Sequence, residues 1–403
     1  MSSLQSEGRQ RIVMLLENNP YPQDVRVRSE AQSLVAAGHS VLVLAPRRAR
    51  QPARECVEGV AVRRFRCVDG TGHGLRGLLA EYLVAFWALH RGALAALARG
   101  ATVVHIHNPP DAFFLAGAAF RLAGRQVVFD HHDLGPELVK VKFRRRPLVT
   151  AARAAERLTF AAATHVLAAN ESHAEVARTR GGKRTEQVTV VRNGPPAEWT
   201  RLPVKVRPGR LSPIQLVFLG TVSEQDGVDL LAEILGRLRD RTPPVVARLT
   251  IIGDGGGRAE LERALSHWGV ADQVTITGWV ESSQVPELIQ QADVCLDPAP
   301  GTELNQRSTM IKLAEYLALG KPVVAFDLLE SRRTVQDAAI LVPDGDLAGF
   351  AEQIARLAED PELRSDLARR ARERGQELTW DHSESALLAG YATLGRPGEQ
   401  ARS

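Results

Sequence analysis

The sequence predicts an α/β protein with two doubly wound domains, and three observations support that prediction. Short apolar runs of strand length alternate with helical periodicity along most of the chain. A proline-rich stretch interrupts the alternation once, and the alternation then restarts. The chain has 403 residues, which is long for one hydrophobic core and comfortable for two. Strands that alternate with helices form parallel sheets covered by helices on both faces.

The first domain is assigned to residues 1–200. Its first predicted helix has Val27, Ala31 and Leu34 on one face and is expected to end at Gly38. The strands of this domain are expected at residues 12–16, 41–45, 103–107, 127–130, 165–168 and 188–191.

The second domain is assigned to residues 214–380, after a linker at 201–213, and a C-terminal helix and tail are assigned to 381–403. Its strands are expected at residues 216–219, 247–252, 274–277, 294–297 and 323–326. Two sheets of this kind place a cleft where the carboxyl ends of their strands face each other. Residues that directly follow strands are therefore the candidates for function.

Composition excludes several classes of protein. The chain has 51 basic and 47 acidic residues, a net charge of +4 and 5% aromatic residues, which is too little positive charge and too few aromatics for a nucleic-acid-binding protein. Cys56, Cys67 and Cys295 form no CxxC pair, which favours a reduced cytoplasmic protein. No targeting segment and no run of eighteen apolar residues is visible, so neither a signal peptide nor a membrane span is expected.

The segment 305–325 is the most informative stretch for function. The polar residues Arg307, Ser308 and Thr309 precede a predicted helix, whose first amides suit a phosphate. Lys312 and Glu315 lie three residues apart on one face of that helix. A cation for phosphate and a carboxylate for hydroxyl groups describe a nucleotide-sugar site. A capped surface helix with ordinary charges is the alternative interpretation.

Two polar clusters end neighbouring strands of the first domain. They are His105-Ile-His-Asn-Pro-Pro-Asp111 and Asp130-His-His-Asp133. Two histidines and a carboxylate can bind zinc or iron. A hydrolase site of that type needs further ligands on later strands, yet the second half of the chain contains only His267 and His382. General acid–base catalysis, substrate contacts and structural hydrogen bonding are the other interpretations.

The first strand-to-helix turn contains no GxGxxG, which weakens a dehydrogenase interpretation. Asp24 is a good N-cap there, and Arg26 follows it at the start of the helix. The arginine either is a solvated charge or reaches a phosphate or an anionic acceptor. The basic run at 140–146 is either solvated or able to contact anionic lipid.

Taken together, these motifs resemble those of glycosyltransferase family 4, which has the GT-B architecture of two Rossmann-like domains. The likeness extends from about residue 11 to 382. The motifs that carry it are His107-Asn-Pro-Pro-Asp111, Asp130-His-His-Asp-Leu-Gly-Pro-Glu137, Asn170-Glu-Ser172, Val191-Arg-Asn-Gly194, the segment 220–229 with Gln225-Asp-Gly227, Gly253-Asp-Gly255 and the segment 308–325.

The resemblance implies a nucleotide-sugar donor bound mainly by the second domain and, usually, retention of anomeric configuration. Glu315 matches the family's ribose-contacting glutamate, and His132 matches the histidine close to the transferring sugar. Gly220 and Thr221 match the loop that lies against the diphosphate. Family members usually have a second glutamate eight residues before the first, where this chain has Arg307.

Many family members also have Arg and Lys in the diphosphate loop, where this chain has Thr221 and Asp226. Arg307 or Lys312 is therefore expected to supply the cation, without a cofactor or metal. His132 is the predicted catalytic residue. Further candidates are Asp133 and Asp24 for acceptor positioning or proton removal, His107, Asp111 and Arg26 for acceptor-side contacts, and Ser308 and Thr309 for the donor.

The expected partners are a UDP- or GDP-sugar and a glycan or lipid-linked acceptor, with peripheral contact to the inner face of an anionic membrane as a further option. The expected reaction transfers a hexose-type sugar to a hydroxyl group. A sugar-nucleotide epimerase of similar architecture and a non-catalytic binding module for nucleotide sugars or membrane surfaces are the alternatives. An epimerase would convert the donor without an acceptor, and a binding module would release no nucleotide.

Overall fold

The computed structural model describes residues 9–67, 74–143 and 145–394. The chain divides into two compact units, and the predicted α/β class with two parallel sheets is confirmed. Unit 1 comprises residues 1–192 and 383–403, and unit 2 comprises residues 193–382. The stretch at 201–213, which was assigned as a linker, lies inside unit 2.

Unit 1 is built on a sheet whose eight described strands follow the order β3-β4-β2-β1-β5-β6-β7-β8. All neighbouring strands are parallel except β3 and β4. Every residue of the central strands β5 and β6 is buried, as expected for a sheet covered on both faces. The strands are β1 (Arg11–Leu15), β2 (Ser40–Arg47), β3 (Arg54–Val57), β4 (Val60–Arg66), β5 (Val103–His107), β6 (Gln126–His131), β7 (His165–Ala168) and β8 (Val188–Val190).

The helices of unit 1 connect these strands in two directions. The step from β1 to β2 moves one way along the sheet, and the steps from β5 to β8 move the other way. Because such crossovers are right-handed, the two sets of helices cover opposite faces. The helices are α1 (Val25–Ala36), α2 (Gly74–Ala98), α3 (Phe114–Leu122), α4 (Gly135–Phe143), α5 (Arg146–Ala162) and α6 (Glu171–Thr179).

Unit 2 has a parallel sheet whose described strands follow the order β11-β10-β9-β12-β13-β14. The strands are β9 (Ile214–Leu219), β10 (Ala247–Ile252), β11 (Val274–Ile276), β12 (Val294–Asp297), β13 (Val323–Phe326) and β14 (Ile340–Val342). The helices are α7 (Leu230–Asp240), α8 (Arg258–Trp268), α9 (Val285–Gln290), α10 (Glu303–Arg307), α11 (Ile311–Ala318), α12 (Leu329–Val335), α13 (Leu347–Glu359) and α14 (Pro361–Glu377).

The last described helix, α15 (Trp380–Ala392), returns the chain to unit 1. There the Tyr391 hydroxyl lies 2.8 Å from His105 Nδ1, inside the core of that unit. Among the residues that the structure describes, no helix combines the length and apolarity that crossing a bilayer requires.

Candidate functional site

Two glycines shape the ends of neighbouring strands in unit 2. Gly220 follows β9 with a φ of 147°, and Gly253 follows β10 with a φ of 141°, a region that favours glycine. A Cβ atom on Gly253 would lie 1.9 Å from the Gly220 carbonyl oxygen. A Cβ atom on Gly220 would lie 3.1 Å from Lys312 Nζ. The glycines therefore let the loop after β9 approach the side chain of Lys312.

Lys312 is the charged centre of this region. It lies in the first turn of α11, and its Nζ is 2.9 Å from Asp226 Oδ1 and 3.3 Å from Asp297 Oδ1. The ammonium group also lies 4.3 Å from the centroid of the Phe218 ring. Burial works against the charge, but the two carboxylates outweigh it and hold the pKa of Lys312 above its ordinary value. Lys312 therefore brings a fixed positive charge beside Gly220.

A short helix, α10, ends at Arg307, directly before Ser308 and Thr309. Asn305 on α10 donates from Nδ2 to the carbonyl oxygens of Gln225 (2.8 Å) and Pro300 (2.9 Å). This amide ties α10 to the loop that contains Asp226. The N-cap residue of α11 is Met310, which makes no side-chain cap hydrogen bond. The apolar Met310 side chain cannot satisfy the first amides of α11.

The predicted donor-binding residues differ in their exposure to solvent. The Ser308 hydroxyl donates to the Leu304 carbonyl oxygen at 2.9 Å, so it closes α10. Arg307 and Thr221 are exposed, and Thr309 is half-buried. Their contacts with a donor stay predictions.

Glu315 is a partly buried carboxylate one turn beyond Lys312. Its carboxylate makes no hydrogen bond or salt bridge to any residue in the described part of the chain. Burial raises the pKa of Glu315 to about 7, against the opposing charge of Lys312. The neighbouring Tyr316 hydroxyl accepts from the Leu219 amide at 2.7 Å, which fixes α11 against the end of β9. Glu315 is therefore a rigidly held acceptor with capacity left for a ligand.

In unit 1 the polar clusters meet at Asp130, which is the second-last residue of β6 and is fully buried. Arg26 donates to both of its oxygens, at 2.6 and 2.8 Å. His107 Nδ1 and His132 Nδ1 lie 3.0 and 2.9 Å from Asp130 Oδ2. Burial alone would raise the pKa of Asp130, but Arg26, His132 and these hydrogen bonds hold it well below its ordinary value. Asp130 is therefore an ionised carboxylate that contacts Arg26, His107 and His132.

His132 is the member of this cluster that reaches the surface, with 12% of its side chain exposed. Its main-chain amide donates to Asn108 Oδ1 at 2.9 Å. Burial would lower the pKa of His132, but the charge and hydrogen bond of Asp130 outweigh burial and raise it to about 9. The imidazole is therefore protonated at neutral pH and suits hydrogen-bond donation better than proton removal.

Two of the predicted acceptor-side residues have side chains that are directed inward. The Arg26 guanidinium is buried, and it contacts Asp130, Glu30 (3.2 Å) and the Val191 carbonyl oxygen (2.9 Å). His107 is also buried against Asp130. Both residues contact buried groups inside unit 1, and their acceptor contacts stay predictions.

The predicted carboxylates of unit 1 are used in different ways. Asp24 caps α1, since its Oδ1 accepts from the Val27 amide at 2.9 Å. Asp111 is buried and accepts from Asn108 Nδ2 at 3.0 Å, and burial raises its pKa to about 7. Asp133 is half-buried, and burial raises its pKa despite the charge of His132. Catalytic roles for Asp24 and Asp133, and an acceptor contact for Asp111, stay predictions.

Four buried residues of unit 1 carry side chains of the types that bind metal ions. One ligand atom from each of Glu30, His105, His107 and Asp130 lies within 4.8 Å of the others. However, Arg26 already donates to both oxygens of Asp130. Burial and the charge of Asp130 also raise the pKa of Glu30 to about 8, which favours its neutral acid form at pH 7. The donor set therefore fits a charge-paired network better than a metal centre.

Sequence reasoning overlooked Asp130, Asp297 and Asn305 as site residues. Each was visible as a polar residue at the end of a predicted strand or at the start of an informative segment. What the sequence does not reveal is which neighbour each one contacts. Asp297 and Asp226 are 71 residues apart in the numbering yet both contact Lys312.

Two family descriptions match consecutive parts of the chain. Residues 23–194 match the family described as a glycosyl transferase 4-like domain. Residues 213–360 match the family described as glycosyl transferases group 1. The phosphatidyl-myo-inositol mannosyltransferase of Mycolicibacterium smegmatis is 31% identical over 186 residues, which cover 45% of this chain and 46% of that protein. The matches span about two fifths of the length of the first curated relatives, 39% and 42%.

Two solved structures share the fold over nearly the whole chain. Sucrose-phosphate synthase from Thermosynechococcus elongatus has a TM-score of 0.75 and 18% identity, covering 96% of this chain and 99% of the other. Anabaena HepE in complex with UDP-glucose has a TM-score of 0.68 and 18% identity, covering 95% of this chain and 99% of the other. Both domain matches occur in the order and with the two-sheet architecture that the resemblance implied. The chain belongs to the GT-B glycosyltransferases of the family 4 type.

Proposed function

We propose that the protein transfers a hexose-type sugar from a nucleoside-diphosphate sugar to a hydroxyl group of a glycan or lipid-linked acceptor. The proposed transfer retains the anomeric configuration and uses no metal ion. One observation carries the proposal: a paired cation and an unpaired carboxylate lie one helical turn apart on α11, at Lys312 and Glu315. They match the two ends of a nucleoside diphosphate, because the diphosphate needs a cation and the ribose offers hydroxyl donors.

In the proposed reaction the bond between the sugar C1 and the diphosphate oxygen breaks, and its electron pair leaves with the nucleoside diphosphate. The acceptor oxygen forms the new bond to C1. Retention puts the acceptor on the face that the diphosphate leaves, so the departing oxygen can take the hydroxyl proton. No residue then has to act as a base, which agrees with a protonated His132.

The charge that develops on the diphosphate is the main energetic problem of this reaction. A charge-assisted hydrogen bond from Lys312 contributes about 1.5–3 kcal/mol. The uncapped start of α11 adds up to about 2 kcal/mol in favourable geometry. Together they would lower the barrier by several kcal/mol, which corresponds to roughly two or three powers of ten in rate.

His132 is proposed to donate a hydrogen bond from Nε2 to the transferring sugar. The ring is held at Nδ1 by Asp130, and Nε2 makes no hydrogen bond to the residues that the structure describes. A charged imidazole is a stronger donor than a neutral one. This role replaces proton removal, the other role considered for this histidine.

The donor nucleotide and the acceptor are proposed only as chemical classes. HepE was solved with UDP-glucose, and the mycobacterial relative is named as a mannosyltransferase of phosphatidyl-myo-inositol. The UDP-glucose complex favours testing UDP-sugars first, followed by GDP-sugars, with glycan and lipid-linked acceptors.

Peripheral contact with an anionic membrane surface also remains part of the proposal. Leu83, Trp87 and Leu94 form an exposed apolar stripe on α2, and Trp87 is 64% exposed. Two exposed arginines, Arg145 and Arg146, lie at the start of α5. Arg144 of the same basic run lies outside the described residues.

A panel of UDP-, GDP- and ADP-sugars in a thermal-shift assay tests the donor half of the proposal. A ligand at a hundredfold over its dissociation constant stabilises the folded protein by about 2.7 kcal/mol, which is easily detected. The stabilising donor is then incubated with candidate acceptors, and release of nucleoside diphosphate is measured. Conversion of the donor without an acceptor would identify an epimerase, and binding without nucleotide release would identify a binding module.

A further inference from the structure

The interior of unit 1 contains a chain of polar contacts that ends at the surface on His132. Asp130 Oδ2 lies 2.9 Å from His132 Nδ1, and the carboxylate itself is inaccessible to solvent. Because Nδ1 faces a buried anion, the proton on that nitrogen is held in place. Nε2 is then the nitrogen left to face a ligand.

Asp130 is itself immobilised by more partners than charge balance requires. Arg26 donates to both carboxylate oxygens, and His107 Nδ1 lies 3.0 Å from Oδ2. Arg26 is in turn held by Glu30 at 3.2 Å and by the Val191 carbonyl oxygen at 2.9 Å. A carboxylate fixed from several directions can fix the orientation of the ring bonded to it.

The backbone of His132 is fixed by a separate contact. Asn108 Oδ1 accepts from the amides of His132 (2.9 Å) and Asp133 (3.1 Å). Asn108 Nδ2 also donates to the Asp133 carbonyl oxygen at 2.7 Å. The main chain and the ring of His132 are therefore held independently, by Asn108 and by Asp130.

We infer that Asp130 is a positioning residue: it holds the His132 imidazolium in one ring orientation, with Nδ1–H directed to the carboxylate and with Nε2–H directed outward. The inference rests on the proposed function, because it assigns His132 a donor role toward the transferring sugar. It goes beyond that function by naming a residue that touches no substrate. The competing explanation is that Asp130 serves only as the buried partner of Arg26.

Unit 1 contains a second buried ion pair, similar to that of Asp130 and Arg26, which provides a control variant to distinguish these two explanations. Glu156 is also fully buried, is paired with Arg180 at 2.7 Å and lies 3.5 Å from a histidine, His131. It combines an arginine, a carboxylate and a histidine as Asp130 does, but His131 is buried and adjacent to His132 in the chain. Glu156→Gln therefore removes a buried carboxylate of the same kind without touching the His132 ring.

The first measurement uses the wild-type protein and does not depend on activity. Nitrogen-15 NMR of histidine-labelled protein should show His132 titrating well above pH 6.5, with the proton on Nδ1 in its neutral form. A His132 pKa at or below 6.5, or a neutral form protonated on Nε2, would overturn the inference. The other titratable groups that interact with His132 are Arg26, Glu30, His105, His107, His131, Asp133 and His173.

The second measurement compares Asp130→Asn with Glu156→Gln. We expect Asp130→Asn to lower the His132 pKa by one unit or more and to lower kcat about a hundredfold, with less than a threefold change in donor KM. Glu156→Gln should lose stability but keep both the His132 titration and kcat. Equal losses of kcat in the two variants would leave Asp130 with a structural role only. Wild-type protein that shows the predicted titration but transfers no sugar would reject the proposed function and keep the Asp130–His132 contact.

Discussion

The two units both bury a cation between two carboxyl groups, but only one of these arrangements is closed. In unit 1 Arg26 lies between Asp130 and Glu30, and all three side chains are buried. In unit 2 Lys312 lies between Asp297, which is buried, and Asp226, whose side chain is 21% exposed. A closed ion pair resists exchange because each charge would be left unpaired in a poorly solvated site. The partly open pair can replace one carboxylate with another anion.

This contrast assigns the two cations different tasks. Arg26 supports a ring that faces outward, and Lys312 is proposed to meet the ligand directly. Asp226 lies on a short turn at 224–226 capped by Ser223, whereas Asp297 lies on β12. A diphosphate would then take the position that the Asp226 carboxylate occupies beside Lys312.

The largest expected effect comes from Lys312→Ala. Removal of one charge-assisted contact of about 1.5–3 kcal/mol should lower kcat/KM about 10- to 150-fold. The change also leaves Asp297 buried without its cation, which costs about 3–5 kcal/mol of folding stability. Activity is therefore compared below the melting temperature of the variant, with thermal unfolding measured on the same sample.

Lys321 provides the matched control for this experiment. It is buried in the same unit, but its Nζ donates to the carbonyl oxygens of Gln290 and Ala292, both at 2.8 Å. Lys321→Met should therefore lose stability and keep kcat/KM per folded molecule. Unchanged turnover in Lys312→Ala, or an equal loss in both variants, would remove Lys312 from the proposed donor site.

A smaller effect is expected from Glu315→Gln, and it should depend on pH. Burial raises the pKa of Glu315 to about 7, so its ionised form increases as the pH rises through 7. Ionised carboxylate accepts hydrogen bonds from ribose hydroxyls more strongly than the acid does. Donor affinity in the wild type should therefore increase from pH 6 to pH 8.

The Glu315→Gln variant has no carboxyl group at position 315 that titrates. Glu315→Gln should bind the donor about tenfold more weakly at pH 8, with an affinity that is flat between pH 6 and 8. Isothermal titration with the nucleotide sugar measures both values. A wild-type affinity that does not change with pH, or a variant that retains the slope, would show that Glu315 does not bind the ribose.

Most of the fold could be predicted because strands buried in a parallel sheet appear in the sequence as apolar runs. The predicted runs at 103–107, 247–252 and 294–297 match β5, β10 and β12 residue for residue. The hairpin of β3 and β4 was missed because it lies at the sheet edge, where exposed charged residues such as Arg54 and Arg63 interrupt the pattern. Edge strands need only one buried face.

The site was predictable in position but not in its contacts. The end of a predicted strand indicated His132, and one face of a predicted helix indicated Lys312 and Glu315. Both indications depend only on residues that are close together in the sequence. The burial of Arg26 was not predictable, since its partner Asp130 lies 104 residues away in the sequence. The local sequence around a charged residue at the start of a helix is the same whether the side chain faces solvent or a carboxylate that is distant in the sequence.

The smallest expected effect is also the one that tests the comparison between the two ion pairs most directly. Asp226→Asn removes the charge that competes with a diphosphate for Lys312, while Asp297 still pairs the ammonium group. The donor dissociation constant should fall about two- to fivefold, as expected for loss of a partly exposed ion pair worth about 0.5–1 kcal/mol. Asp240→Asn is the control, because Asp240 is exposed and pairs with Arg239 on the surface of the same unit. Weaker donor binding in Asp226→Asn would mean that this carboxylate positions Lys312 for the ligand, and unit 2 would then hold its cation in the same closed manner as unit 1.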